Sequence, residues 1–159
     1  MKKTIILLAA IAVAIDLAIV AVLVFDLQPP LRGAVNLTPN IELTIYGGEI
    51  TVDGQVRYAY GFSPDTMTAP GPTLNFTQGD IVGITFVNVG QVVHTLTIVP
   101  FVDPNNPEVL DNYDTGLVEG GDSATIVVQF NQVGNLNYQC AVPGHASLGM
   151  WGNITVTEQ

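Results

Sequence analysis

Apolar residues are distributed along this chain in two distinct ways. Residues 4–25 form one nearly continuous apolar run, with Ile, Leu, Val or Phe at fourteen positions. From Ile41 onward apolar and polar residues alternate with a period near two, and no later segment has a convincing 3.6-residue period. A period of two puts alternate side chains on opposite faces of a strand. The pattern predicts strands over residues 41–46, 49–52, 55–60, 73–77, 81–88, 92–99, 123–130, 136–140 and 151–157. Asp53-Gly54 is a two-residue hairpin signal. Residues 61–72 hold three prolines and two glycines, and residues 100–122 hold Pro100, Pro104, Pro107, Gly116 and Gly120-Gly121, so both read as loops. Many short strands between turn signals predict an all-β, antiparallel Greek-key β-sandwich.

The first run has the length of a membrane-spanning helix, about 20 residues. Its fourteen large apolar residues favour insertion by about 4–8 kcal/mol, against a cost of about 2.5–3.5 kcal/mol for Asp16 near the centre. Lys2 and Lys3 precede it, so the positive-inside rule keeps the N-terminus cytoplasmic. The expected organisation is a membrane anchor over residues 1–26, a linker over 27–40 with Pro29, Pro30, Gly33 and Pro39, and an extracytoplasmic domain over 41–159. A cleaved signal peptide is the competing reading, with Ala12-Val13-Ala14 as its small-residue site. The apolar run continues well past that site, which favours the anchor. Asp16 is either a contact for a partner helix or an acid that a strong span tolerates.

Charge narrows the partners. The net charge is −10, and Lys2, Lys3, Asp16 and Asp26 cancel, so residues from 27 onward carry all of it. Such a domain lacks the basic stripe that nucleic-acid binding needs. The acidic surface either steers a basic protein partner or simply keeps the domain solvated. A single cysteine rules out a disulfide framework, and also a binuclear copper centre with two bridging thiolates.

That cysteine, Cys140, stands in the pattern Cys140-x4-His145-x4-Met150. With two histidines and three methionines in 159 residues, chance puts both at those offsets about once in 4,000. A thiolate, an imidazole and a thioether on one loop suit a soft, redox-active metal, copper above all. Two histidines and a cysteine in a plane, with a long axial methionine, make an electron-transfer copper site. The second histidine has one candidate, His94. Taken alone, a lone cysteine is often a small buried hydrophobe, and a lone histidine on an apolar strand is usually a core residue. The four residues together favour the metal.

The run Cys140-x-x-Pro143-Gly144-His145-Ala146-x-x-Gly149-Met150-x-Gly152 resembles the ligand loop of the blue copper proteins, the cupredoxins. Within that family it looks most like rusticyanin and its relatives, although rusticyanin is basic and this domain is acidic. The likeness extends upstream through Pro72-Thr73-Leu74, Gly79-Asp80 and Ile84-Thr85-Phe86-Val87-Asn88 and leaves out the N-terminal 40 residues. It implies the same sandwich and one type 1 copper, cycling between Cu(I) and Cu(II), on His94, Cys140, His145 and Met150. It also implies that Thr95 offers a hydroxyl to the ligand loop. The edge of His145 would be the electron port, in an apolar collar of Ala141, Val142, Pro143, Ala146 and Leu148.

The expected function is membrane-tethered transfer of single electrons between redox proteins: a cytochrome, another copper protein or a terminal oxidase. No small-molecule substrate is expected. Multicopper oxidases and copper nitrite reductases need further histidines, and both of this chain's are used, so an enzyme is not expected. The alternatives are a copper-delivery protein for an oxidase, which would be expected to carry Met/His-rich clusters, and an interaction module, which need not keep four ligands.

Overall fold

The computed structural model describes residues 37–99 and 113–159. Nine strands follow in chain order: β1 (Ile41–Val52), β2 (Gln55–Gly61), β3 (Leu74–Thr77), β4 (Ile81–Asn88), β5 (Thr97–Val99), β6 (Tyr113–Asp114), β7 (Ser123–Gln129), β8 (Gly134–Gln139) and β9 (Trp151–Thr157). They form a four-stranded sheet in the order β2-β1-β4-β7 and a five-stranded sheet in the order β3-β9-β8-β5-β6. Alternation decides the faces. Val82, Ile84 and Phe86 of β4 and Gly152, Ile154 and Val156 of β9 are all buried. Ile45, Ile84 and Phe86 from one sheet share a single core with Ile98, Tyr138 and Ile154 from the other. Burying this apolar layer at about 25 cal/mol per Å² is what holds the two sheets together.

The Asp53-Gly54 hairpin forms as expected. Both residues have positive φ (51° and 74°), the backbone of a turn whose twist matches its strands. Four other expectations need correction. The sandwich is mixed rather than antiparallel, because β1 pairs with β4 and β3 with β9 in parallel. Alternation reports which face a residue takes, but not the partner strand or its direction. Residues 41–46 and 49–52 form one strand, running through Gly47-Gly48. The glycine at 47 is there for close approach: a Cβ on it would lie 2.7 Å from Phe86 Cε2, 2.9 Å from Met150 Cε and 3.0 Å from Tyr60 Cδ1.

The strand expected over 92–99 shrinks to Thr97–Val99, leaving His94 on the approach to it. A short strand, Tyr113–Asp114, interrupts the loop expected over 100–122. The anchor over 1–26 and most of the linker lie outside the described residues. Among the described residues no helix is long and apolar enough to cross a membrane. The β unit spans Leu37–Gln159.

Candidate metal centre

Cys140 lies one residue past the end of β8, and Met150 one residue before β9. Those two strands pair in register, so their ends bring the two residues close together. The Cys140 N–H donates to the Met150 carbonyl at 3.0 Å, and the Met150 N–H donates to the His145 carbonyl at 3.1 Å. The intervening loop closes with a short 3-10 turn, Ala146–Leu148, directly after His145.

His94 comes from the other side. Its backbone is held by a two-bond bridge to Val118, at 3.1 and 2.8 Å. The turn before it is fixed by two polar side chains. Asn88, fully buried, donates to the carbonyls of Val92 and Val118 (both 2.8 Å) and accepts from the Gly90 N–H (2.9 Å). Glu49 accepts from the N–H groups of Gln91 and Val92, each at 3.0 Å. Burial alone would raise the Glu49 carboxyl. The N–H groups of Gln91, of its own residue and of Val92, together with His94, leave it below its usual value.

Three ligand atoms converge. The Nδ1 atoms of His94 and His145 are 3.0 Å apart, and Cys140 Sγ is 3.9 Å from the first and 3.5 Å from the second. The point equidistant from the corners of such a triangle lies about 2.0 Å from each, close to the bond length of a first-row metal to imidazole and slightly short of that to thiolate. The donor set therefore fits a metal by its spacing and by its chemistry. All three residues are buried, His145 at 8% exposure being the most open. Met150, the fourth expected ligand, is fully buried beside them on the same loop, with its methyl end against β1 at Gly47.

Thr95 ties the two halves together. Its N–H donates to Cys140 Sγ at 3.4 Å, and its hydroxyl accepts from the Ala141 N–H at 2.8 Å, as the resemblance implied. That hydroxyl also meets the Thr97 hydroxyl at 3.1 Å, and Thr97 donates to the Asp114 carboxylate at 3.1 Å. Since the Thr97 proton goes to Asp114, the Thr95 hydroxyl donates to Thr97, and the chain of donors ends on a carboxylate. Tyr60, buried in the core, donates to the Thr95 carbonyl at 2.5 Å. Burial pushes the Tyr60 phenol well above its ordinary range, so it stays a donor.

Burial, followed by repulsion from His145, pushes the His94 imidazole down from 6.5 to about 4, against the opposing pull of Glu49. Burial also lowers His145. Both rings are thus neutral near pH 7, the form that binds a metal. A depressed folded value means that the unfolded chain takes up the proton first as pH falls. His94 therefore contributes stability that is complete above 6.5 and is lost as pH falls towards 4. Urea midpoints of the metal-free protein should drop across that window, and His94→Gln should flatten the drop. An equal slope in the variant would contradict this.

Three residues escaped sequence reasoning: Glu49, Asn88 and Tyr58, whose ring stacks on His145 with centroids 3.9 Å apart and planes at 20°. Asn88 carried a signal. It follows Val82, Ile84 and Phe86 on the inward face of β4, where a polar side chain must find partners.

These features define a class, a cupredoxin-like β-sandwich with a buried His-Cys-His cluster at one end. Solved structures share the fold. Auracyanin B is similar at a TM-score of 0.57 and 22% identity, over 77% of this chain and 93% of that one. A multicopper oxidase from Campylobacter jejuni is similar at a TM-score of 0.59 and 15% identity, over 74% of this chain and 26% of that one. In sequence, the copper-resistant cuproprotein CopI of Rubrivivax gelatinosus is 28% identical over 101 residues, 58% of this chain. The match spans 61% of that relative's length. No family model matches the chain.

Proposed function

We propose that this protein is a type 1 copper electron carrier, with one copper that His94, Cys140, His145 and Met150 would hold. The supporting observation is the triangle of three buried donor atoms, sized for one metal ion. Copper is favoured over zinc because Met150, whose soft thioether suits copper, closes the same loop. When bound, copper supplies a one-electron couple. The chain's own residues hold the site still. Asn88 and Glu49 brace the His94 turn, Thr95 bonds both the thiol and the loop, and burial excludes water.

Around His145, Ala141, Pro143 and Leu148 are exposed, while Val142 and Ala146 are half-buried. This apolar collar suits docking of a redox protein: a cytochrome, another copper protein or a terminal oxidase. The loop pattern of the rusticyanin group agrees with this reading. The protein acts as a carrier rather than an enzyme, tethered through residues 4–25 with its domain on the extracytoplasmic side.

A reversible one-electron couple in the copper-loaded full chain is the expected result. Met150→Leu should keep the colour and raise the reduction potential, because an axial ligand tunes potential more than it holds metal. Loss of copper from Met150→Leu, or no reversible couple in the parent, would overturn the proposal. The likeness to a copper-resistance protein favours a second reading, copper handling. A handling protein would surrender its copper to a chelator between redox cycles, whereas a carrier retains it through many.

A further inference from the structure

A metal-binding histidine is almost always oriented by a hydrogen bond on its far ring nitrogen. Neither imidazole here has one among the described residues. His94 Nε2 is buried with no hydrogen-bond partner. His145 makes ring hydrogen bonds only through Nδ1, to His94 and Cys140. One side chain touches both rings. The Tyr58 ring lies flat on His145, at 3.9 Å and 20°, and meets His94 edge-on, at 5.4 Å and 65°.

The fold explains how Tyr58 comes to be there. Tyr58 and Tyr60 are two apart on β2 and so share a face. Tyr60 reaches into the core and fixes the Thr95 carbonyl, next to His94. Tyr58, one step toward the rim, meets the rings themselves. The loop that carries His145 also packs against β2, where Gly149 lies close to the Tyr58 carbonyl and Ala69.

We propose that Tyr58 is the positioning residue of this centre. Its ring holds the imidazole of His145, and through the same contact that of His94, with both Nδ1 atoms turned toward Cys140. The contacts lie wholly within the protein, and on this proposal they preorganise the site. The clamp extends the copper reading, but it depends only on the ring contacts and would serve any ion that takes this donor set.

Ring stacking gives the test. In the metal-free full chain, the ring protons of His145 should be shifted upfield in NMR spectra by the Tyr58 ring. Tyr58→Phe should keep that shift, and Tyr58→Leu should abolish it and broaden the signals. Zinc affinity, measured with Zn(II) alone, should fall about three- to tenfold in Tyr58→Leu and stay within about twofold of the parent in Tyr58→Phe. Unchanged ring shifts in Tyr58→Leu would overturn the clamp. So would a Tyr58→Phe variant that loses shift or affinity as Tyr58→Leu does, because the hydroxyl would then be the active part. Tyr58→Phe decides the matter even where Tyr58→Leu fails to fold. A protein that shows the shifts and binds zinc but never turns blue with copper would refute the copper reading and leave the clamp standing.

Discussion

Cys140→Ala is expected to abolish the visible colour of the copper-loaded protein outright and to weaken copper binding by more than about 100-fold. Loss of a partner outside the ligand shell alone costs metal affinity about 10- to 100-fold, and Cys140 is a ligand. It is the chain's only thiol. It is 2% exposed, with its sulfur accepting the Thr95 N–H. Alanine would leave two imidazoles 3.0 Å apart with no anionic donor between them. A water entering the space left by the sulfur would be a neutral and harder donor, poorly suited to copper. A visible spectrum and a competition titration check the prediction together. A variant that stays blue would mean the thiolate is not the source of the colour.

Asn88→Asp is expected to destabilise the metal-free protein by about 2–6 kcal/mol, although the side chain barely changes shape. The amide nitrogen donates to the part-buried carbonyl of Val92 and the buried carbonyl of Val118, at 2.8 Å each. Aspartate would turn an acceptor toward both. Two lost donors, at about 1–3 kcal/mol each with a carboxylate left fully buried in their place, set the range. The same carbonyl of Val118 also accepts the His94 N–H, so the ligand's anchor loosens as well. Urea unfolding gives the energy, and hydrogen exchange at the His94 amide gives the location. A loss below about 0.5 kcal/mol would mean that water or a shifted loop satisfies those carbonyls.

The parts of this structure that are local in sequence were legible before the fold was known. Alternation located β4 and β9 to the residue, because each buries one face along its whole length. Cys140, His145 and Met150 were legible because one loop carries all three, and their spacing needs no knowledge of the fold. His94 was named only by elimination, and its setting was misread. An apolar run, Val92 to Val99, looks like a strand, but only Thr97–Val99 is one; before it His94 makes a single bridge to Val118, after a turn held by Asn88 and Glu49. Tyr58 was out of reach of sequence reasoning, since its contact with His145 spans 87 positions and depends on how β2 meets the ligand loop. The parallel pairs of β1 with β4 and β3 with β9 were hidden for the same reason. Gly47-Gly48 looked like a break because glycine usually is one in a strand. Here the missing side chain makes room for Phe86, Tyr60 and Met150.

Copper titration of the full-length chain, followed by visible absorption, tests the metal centre most directly. His94, Cys140 and His145 provide one set of donors around one point. An intense blue band should therefore grow linearly and saturate at one equivalent of Cu(II), and a mild reductant should bleach it reversibly. A colourless complex, or colour that keeps growing beyond one equivalent, would contradict the assignment of these residues as a single type 1 copper site.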